Sequence, residues 1–501
     1  MKKLFASFLS LSLALVSCSL LQPKPTPTST PPTAPLETPW DDRSIFEAGL
    51  VESEQPTLAQ LDGASVYHLD FEIADDLFHV TGAEEVRYTN TETVSLNEVH
   101  FRLFPNILGG KMTVSNLTVD GQSVIPKYSL QNSLMVVPLS KPLEPGQSIT
   151  LSMQYAVTVP QTVDLNYGVL AYFEDVLALA HAYPMICVYD DEGWNAEIPP
   201  QSGDVTYADT AFFLVRVTAP KELTLVMSGR EVSRAEAGQN QVVVVANGPA
   251  RDFYLAASPE YEEVFQTEGE VTIRSFAPED LSGGAEFALE IASKAIRVFN
   301  ERYAPYPYTE FDIVATPTLA LGIEYPGLIA IADRIYDVDD EYGGAPTNVY
   351  LESTVVHEVG HQWFYGLVGD DQLDDPWLDE SLTQFVTLQY YEDEYGADGA
   401  EGFRSSLESR WARVGNADIP IGLPVADYSG VEYSAIVYGR GPLFFVALKE
   451  EMGPEVFDDF LKKYAETFSW EIATPGGMQS LAEEQCSCDL QPIFEKWVYP
   501  P

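Results

Sequence analysis

Between residues 64 and 260 apolar and polar positions alternate in short runs, SVYHLDFEI, EEVRYTN, SLNEVHFRLF, SLMVVPLS and SITLSMQYAV among them, with AFFLVRVTA, LTLVMSG and NQVVVVANG continuing the series. Turn residues such as Asp120-Gly121 and Gly146 punctuate the runs. A period of two is the signature of a half-buried strand, so this half predicts an antiparallel β domain. The period changes near Gly269: EVTIRSF is followed by Gly284 to Tyr303, where Phe287, Leu289, Ile291, Ala295, Ile296 and Phe299 recur at helical spacing. Beyond the strands FDIVATP and LIAIAD, helices are expected at about 347–367, 376–394, 402–414, 442–452, 455–467 and 478–485. Asp375-Pro376 and Gly441-Pro442 read as helix starts and Gly453 as a helix stop. The pattern is that of a multidomain α+β protein, with a β domain first and an α/β unit passing into helices after it.

The length, 501 residues at 46% hydrophobic, supplies more than one packed core. Lys2 and Lys3 precede an apolar run from Leu4 to Val16 that is short for a bilayer span and fits an export signal over residues 1–17. Its end, Leu15-Val16-Ser17-Cys18, resembles the lipobox of bacterial lipoproteins, which makes Cys18 the expected lipidation site. The Pro/Thr-rich stretch QPKPTPTSTPPTAPLETPW blocks helix and sheet and stays solvated, so residues 18–45 are expected to be an extended tether. The expected order is then signal 1–17, lipid-anchored linker 18–45, β domain 46–264 and catalytic domain 265–501. The protein is expected to be exported to the cell envelope and held on the outer side of a membrane by lipid alone, since no later stretch is long and apolar enough to cross one.

Charge narrows the partners. With 76 acidic and 27 basic side chains the formal net charge is −49, a field that repels phosphate backbones and argues against nucleic acid. Of the four cysteines, Cys187 reads as a buried free thiol, and Cys486 and Cys488 lack the two-residue spacing of a structural zinc pair. At most one disulfide can form once Cys18 is set aside, and spacing leaves its partners open.

Two of only six histidines fall in HEVGH, residues 357–361. Four residues apart on a helix, His357 and His361 project from nearly one face and can converge on one metal ion. Glu358 lies about 100° round the helix, beside an open coordination position rather than in it, where it can accept a proton as general base. Val355, Val356, Val359, Trp363 and Phe364 would bury this helix, so the histidines need partners. A hydrolytic zinc takes three protein ligands. Among Asp370, Asp371, Asp374, Asp375, Asp379 and Glu380, Glu380 is the best third ligand, because it stands one turn into the next helix. Asp374 and Asp375 read as charges at that helix's N-terminus, and Asp379 as a solvated helix residue.

HEVGH, eighteen intervening residues and Glu380 resemble the zinc signature of the M1, or gluzincin, aminopeptidase family. Gly322-Ile323-Glu324-Tyr325 resembles that family's exopeptidase motif, with Ile323 in place of methionine and Tyr325 in place of asparagine. Tyr433 and Tyr438 in EYSAIVYGRG are spaced like its tyrosine pair. The likeness runs over roughly residues 60 to 501 and implies a saddle-like β domain followed by a thermolysin-like catalytic domain, in a short form without the family's long helical C-terminal domain. It also implies one Zn2+ per chain on His357, His361 and Glu380, and peptide substrates held by Gly322, Ile323 and Glu324, with Glu324 on the free amino terminus. Glu358 would be the base and Tyr438 the donor to the oxyanion, and the family's second amine-binding residue has no evident counterpart. The expected activity is release of N-terminal residues from peptides. A zinc endopeptidase of the same fold, or a surface-anchored peptide-binding protein with vestigial activity, are the alternatives.

Overall fold

The computed structural model describes residues 34–499; the expected export signal, Cys18 and most of the tether lie outside them. The last part of the tether is not extended. Residues Ala34–Glu37 form a 3-10 turn, and the Trp40 ring stacks on His68 with centroids 4.1 Å apart.

The β half is built on an eight-stranded sheet in the order Arg230–Ala237, Asn240–Ala250, Ala211–Pro220, Ser65–Ile73, His79–Thr89, Ser148–Thr158, Lys111–Val119, Gln122–Ser123. It is not purely antiparallel, because Ser65–Ile73 runs parallel to Ala211–Pro220, with Val66 opposite Phe212. Two smaller four-stranded sheets cover its inner face. The central strands show why AFFLVRV and VVVVA are apolar almost throughout. Phe213, Val215, Val217, Val243 and Val245 face the core of the β half, whereas Phe212, Leu214, Val244 and Ala246 face the other way, into the core of the second half. A strand buried on both faces loses its alternation.

The second half opens with a five-stranded sheet in the order Glu262–Glu268, Val271–Ala277, Glu310–Thr316, Leu328–Ala332, Gly322–Tyr325. The three inner strands are parallel and both edges antiparallel. Helix α1 (Ser282–Arg302) packs on this sheet through Ala288, Ile291, Ala295 and Phe299, all buried. Residues 44–59, ahead of the first strand, also join this core through Phe46, Leu50 and Leu58. A second seam between the halves puts Tyr254 face to face with Tyr325, ring centroids 4.0 Å apart.

Helix α2 (Thr347–Gly360) stops earlier than its apolar spacing predicts, at Gly360 instead of residue 367. The residues after it stay buried and tie their amides into tight turns, such as Gly366 N–H to the His361 carbonyl. The two helices expected at 376–394 and 402–414 are both present and abut within α3 (Leu382–Trp411), which breaks at Gly396, where φ is 68° and the backbone is not helical. The remaining helices, α4 (Gly430–Ala435), α5 (Gly441–Met452), α6 (Pro454–Thr467), α7 (Pro475–Cys486) and α8 (Gln491–Trp497), close the core. Buried Arg440 ties the chain's last helix down, donating to the carbonyls of Lys496 and Trp497 and pairing with Asp418. Cys486 and Cys488 are disulfide-bonded and Cys187 is a buried free thiol. No helix among the described residues is long and apolar enough to cross a membrane.

Candidate metal centre and active-site cavity

Three elements meet at one wall of a cavity of about 1110 Å³. The C-terminal end of α2 presents His357 and Glu358, with His361 as its capping residue. A π-turn, Trp377–Ser381, leads into α3 and presents Glu380. A second π-turn, Ile436–Arg440, joins α4 to α5 and presents Tyr438. The wider turns shift side chains off the ordinary helical phase, a distortion found mostly where it serves a site. The two turns hold each other: the Ser381 hydroxyl donates to the Val437 carbonyl at 2.6 Å.

His357 Nε2 lies 3.1 Å from Glu380 Oε2 and 3.1 Å from His361 Nε2, and His361 Nε2 lies 3.5 Å from Glu380 Oε2. All three residues are buried. Ligand atoms about 2.0–2.1 Å from a tetrahedral ion stand about 3.3 Å from one another, so this triangle fits a single divalent cation. The donor set makes the same point. Two imidazole nitrogens that face each other at 3.1 Å share either a proton or a cation. Burial lowers the pKa of His357 to about 4, so its ring is neutral at physiological pH, the form that binds a metal. Burial alone would push Glu380 up, but hydrogen bonds from the two histidine rings hold it well below the usual carboxylate range.

Asp379 corrects the sequence reading. It is not solvated but 1% exposed, and its Oδ1 meets His361 Nδ1 at 2.5 Å. A carboxylate on the far nitrogen fixes the ring's tautomer and raises its basicity toward a metal. Gln372 extends the chain, its Nε2 donating to Asp379 Oδ2 at 2.6 Å and to Glu324 Oε1 at 3.2 Å. Asp379 comes into reach because the π-turn lets two consecutive acids face the same histidine pair.

Glu324 stands on the edge strand Gly322–Tyr325, with an oxygen among a group formed with Glu358 and His361 whose ligand atoms lie within 4.8 Å of one another. Gly322 is the residue this approach requires, since a Cβ there would overlap the Glu358 carboxylate. Ile323 lines the cavity beside it. Tyr325, where the resembled motif has asparagine, serves the stacked pair with Tyr254. Burial and the surrounding carboxylates push both Glu324 and Glu358 up. The Tyr438 hydroxyl donates to Glu380 Oε1, and the Tyr433 ring packs on Tyr438 with centroids 5.7 Å apart.

Sequence reasoning missed Asp204. It comes from the segment between the strands Gly193–Trp194 and Ala211–Pro220 of the β half, and its carboxylate lies within 4.8 Å of both Glu324 and Asp379. No spacing rule connects it to HEVGH; the chain crosses from one half to the other to place it. Five carboxylates, those of Asp204, Glu324, Glu358, Asp379 and Glu380, thus crowd one pair of histidines. Positive charge from outside the chain is what this arrangement accommodates.

Residues 287–497 match the model of the Peptidase family M1 domain. Aminopeptidase M1-A of Oryza sativa subsp. japonica is 25% identical over 302 residues, which are 57% of this chain and 34% of that protein. Aminopeptidase N of Lactococcus lactis subsp. lactis is 27% identical over 247 residues, 47% of this chain and 29% of that one. The chain thus spans about a third of the length of the curated relatives it matches. Among solved structures, the M1 zinc metallopeptidase from Deinococcus radiodurans superposes with a TM-score of 0.62 at 20% identity, covering 87% of this chain and 94% of that one.

Proposed function

We propose that this chain, which belongs to peptidase family M1 through its domain at residues 287–497, is a zinc-dependent aminopeptidase. The observation that carries the reading is the triangle of His357 Nε2, His361 Nε2 and Glu380 Oε2, with Glu358 alongside and a pair of carboxylates, Glu324 and Asp204, one step away. Zinc held by those three residues would supply Lewis acidity to the scissile carbonyl and acidify a water toward a pKa of ~7.

The chain's own groups do the rest. Glu358, packed against Gly322 at the cavity wall, takes a proton from the attacking water and returns it to the leaving amine. The Tyr438 hydroxyl donates to the oxyanion, a contribution of roughly 2.7–4 kcal/mol by comparison with other such donors. Glu324 and Asp204 hold the substrate's ammonium group, which fixes the amino terminus relative to Glu358 and makes the cut one residue in. Asp379 and Gln372 orient His361 and Glu324 together, so metal site and amine site share one rigid network. Export and anchoring through a lipid on Cys18 complete the proposal, supported by the N-terminal sequence alone.

The test is hydrolysis of an unblocked aminoacyl anilide with and without chelator, and of matched free and N-acetylated peptides. Chelator-sensitive cleavage that N-acetylation abolishes is expected. Cleavage that survives acetylation would make the protein an endopeptidase, and no metal-dependent cleavage would leave a binding protein.

A further inference from the structure

Among the described residues the cavity wall carries seven carboxylates and two permanent cations, Arg410 in the last turn of α3 and Arg413 in the 3-10 turn Ala412–Val414 that follows it. Elsewhere this chain pairs its arginines readily, as with Arg216 on Asp70, Arg274 on Asp312, Arg302 on Asp393 and Arg440 on Asp418. With 76 acidic side chains a partner is easy to find. Arg410 has none: no carboxylate of the described residues lies within ion-pair distance, and its guanidinium stands over the Tyr438 ring, 5.5 Å from the centroid. The side chain is half-buried, where an unpaired charge is costly and a partner is worth most.

Position gives the partner's identity. The groups that Arg410 faces are Tyr438, Arg413, Glu380 and Tyr350, on the His357 flank of the metal site. Glu324 approaches Glu358 and His361, and Asp204 approaches Glu324 and Asp379. Arg410 thus reaches the metal site by way of Tyr438 and Glu380, whereas Glu324 joins it by way of Glu358 and His361, so a peptide whose amino end meets Glu324 and that extends across the site reaches the arginines with what remains. The cavity, about 1110 Å³, is at the upper end for small-ligand sites and holds a few residues. The planar guanidinium matches a carboxylate with two parallel hydrogen bonds, which an amide or an internal carbonyl cannot reproduce. We infer that Arg410, assisted by Arg413, binds the C-terminal carboxylate of short peptide substrates, so that the site reads a peptide from both ends. This rests on the peptidase reading above.

The probe is an unblocked tripeptide offered as the free acid and as the C-terminal amide, to wild type, Arg410→Ala, Arg410→Lys and Arg413→Ala, all zinc-loaded. Amidation is expected to lower kcat/KM of the wild type about tenfold or more, mainly through KM. In Arg410→Ala the acid-to-amide ratio should fall close to one, with Arg410→Lys and Arg413→Ala between. Using the ratio removes any general loss from the contact with Tyr438. If the guanidinium only positions that ring, acid and amide decline together, the ratio stays put and the inference is overturned; a wild-type ratio of one overturns it equally. The same two peptides are titrated by calorimetry into zinc-loaded Glu358→Gln, alone and combined with Arg410→Ala. Absence of turnover in the wild type would sink the peptidase reading, while the binding ratio would still decide the anchor.

Discussion

Carboxyl groups are buried in both halves of the molecule, and the two cases differ in what surrounds them. In the β half Glu84 is alone: 1% exposed, both oxygens without a hydrogen-bond partner among the described residues, and close to tyrosines that include Tyr155, whose hydroxyl is likewise unpartnered. At the metal site the buried Glu324, Glu358, Asp379 and Glu380, joined by half-buried Asp204 from the β half, crowd two histidines, and Asp379 and Glu380 each contact a ring nitrogen. A solitary buried acid escapes its cost by keeping a proton, and burial alone pushes Glu84 well above the usual carboxylate range. Acids crowded round histidines do not all do so, because hydrogen bonds from the two rings hold Glu380 ionised. The first arrangement is a protonated core residue; the second is a receptacle for cations.

The sharpest break in that comparison comes from the ligands. His361→Ala removes one corner of the triangle, so elemental analysis should show loss of the metal, and turnover should fall to background. Glu358→Gln keeps the triangle and removes only the proton carrier. It should retain stoichiometric zinc while losing turnover by about 10²–10⁴-fold. Equal metal loss in both variants would mean that Glu358 is a ligand and that the roles given to Glu358 and Glu380 are wrong.

A smaller effect is expected one shell out. Asp379→Asn leaves all three ligands in place but weakens the hold on His361 Nδ1, and metal affinity should fall about 10–100-fold. Competition with a chelator measures this directly. An unchanged affinity would return Asp379 to the passive role its sequence suggests.

Much of this was legible before any coordinates. The change of period near residue 269 marks the passage from strands to α1, and the spacing of His357, His361 and Glu380 is the metal triangle itself. What stayed hidden depends on contacts between distant segments. Helical phase cannot announce a π-turn, so the approach of both Asp379 and Glu380 to the histidines was out of reach, as was the Ser381–Val437 tie between the two turns. Asp204 sits 120 residues before Glu324 with no periodic signal around it. The early end of α2 is a tertiary effect, since residues 361–369 keep an apolar composition that suits a buried turn as well as a helix. Similarly, only the docking of two cores explains why Phe212 and Phe213 can both be buried.

Glu84 offers the last and smallest test, and it was open to a closer reading of the strand: in EEVRYTN its parity matches Val86 and Tyr88, which are buried, while Glu85 points out. Because the folded state holds the Glu84 proton more tightly than the unfolded chain, the folded protein binds more protons once pH exceeds the ordinary value of 4.5. Stability from this group is therefore complete below that pH and is lost as pH rises toward the folded-state value, with a slope of about 1.4 kcal/mol per pH unit. Glu84→Gln keeps the shape and cannot ionise. Its unfolding free energy should match the wild type at pH 4 and exceed it by more than about 1 kcal/mol at pH 8, read from denaturant titrations at the two pH values. The metal site should be unaffected, since the two clusters belong to separate cores. If instead the difference between Glu84→Gln and the wild type is the same at both pH values, Glu84 ionises in the folded protein as readily as in the unfolded chain, and the contrast between a solitary acid and a cation receptacle does not hold.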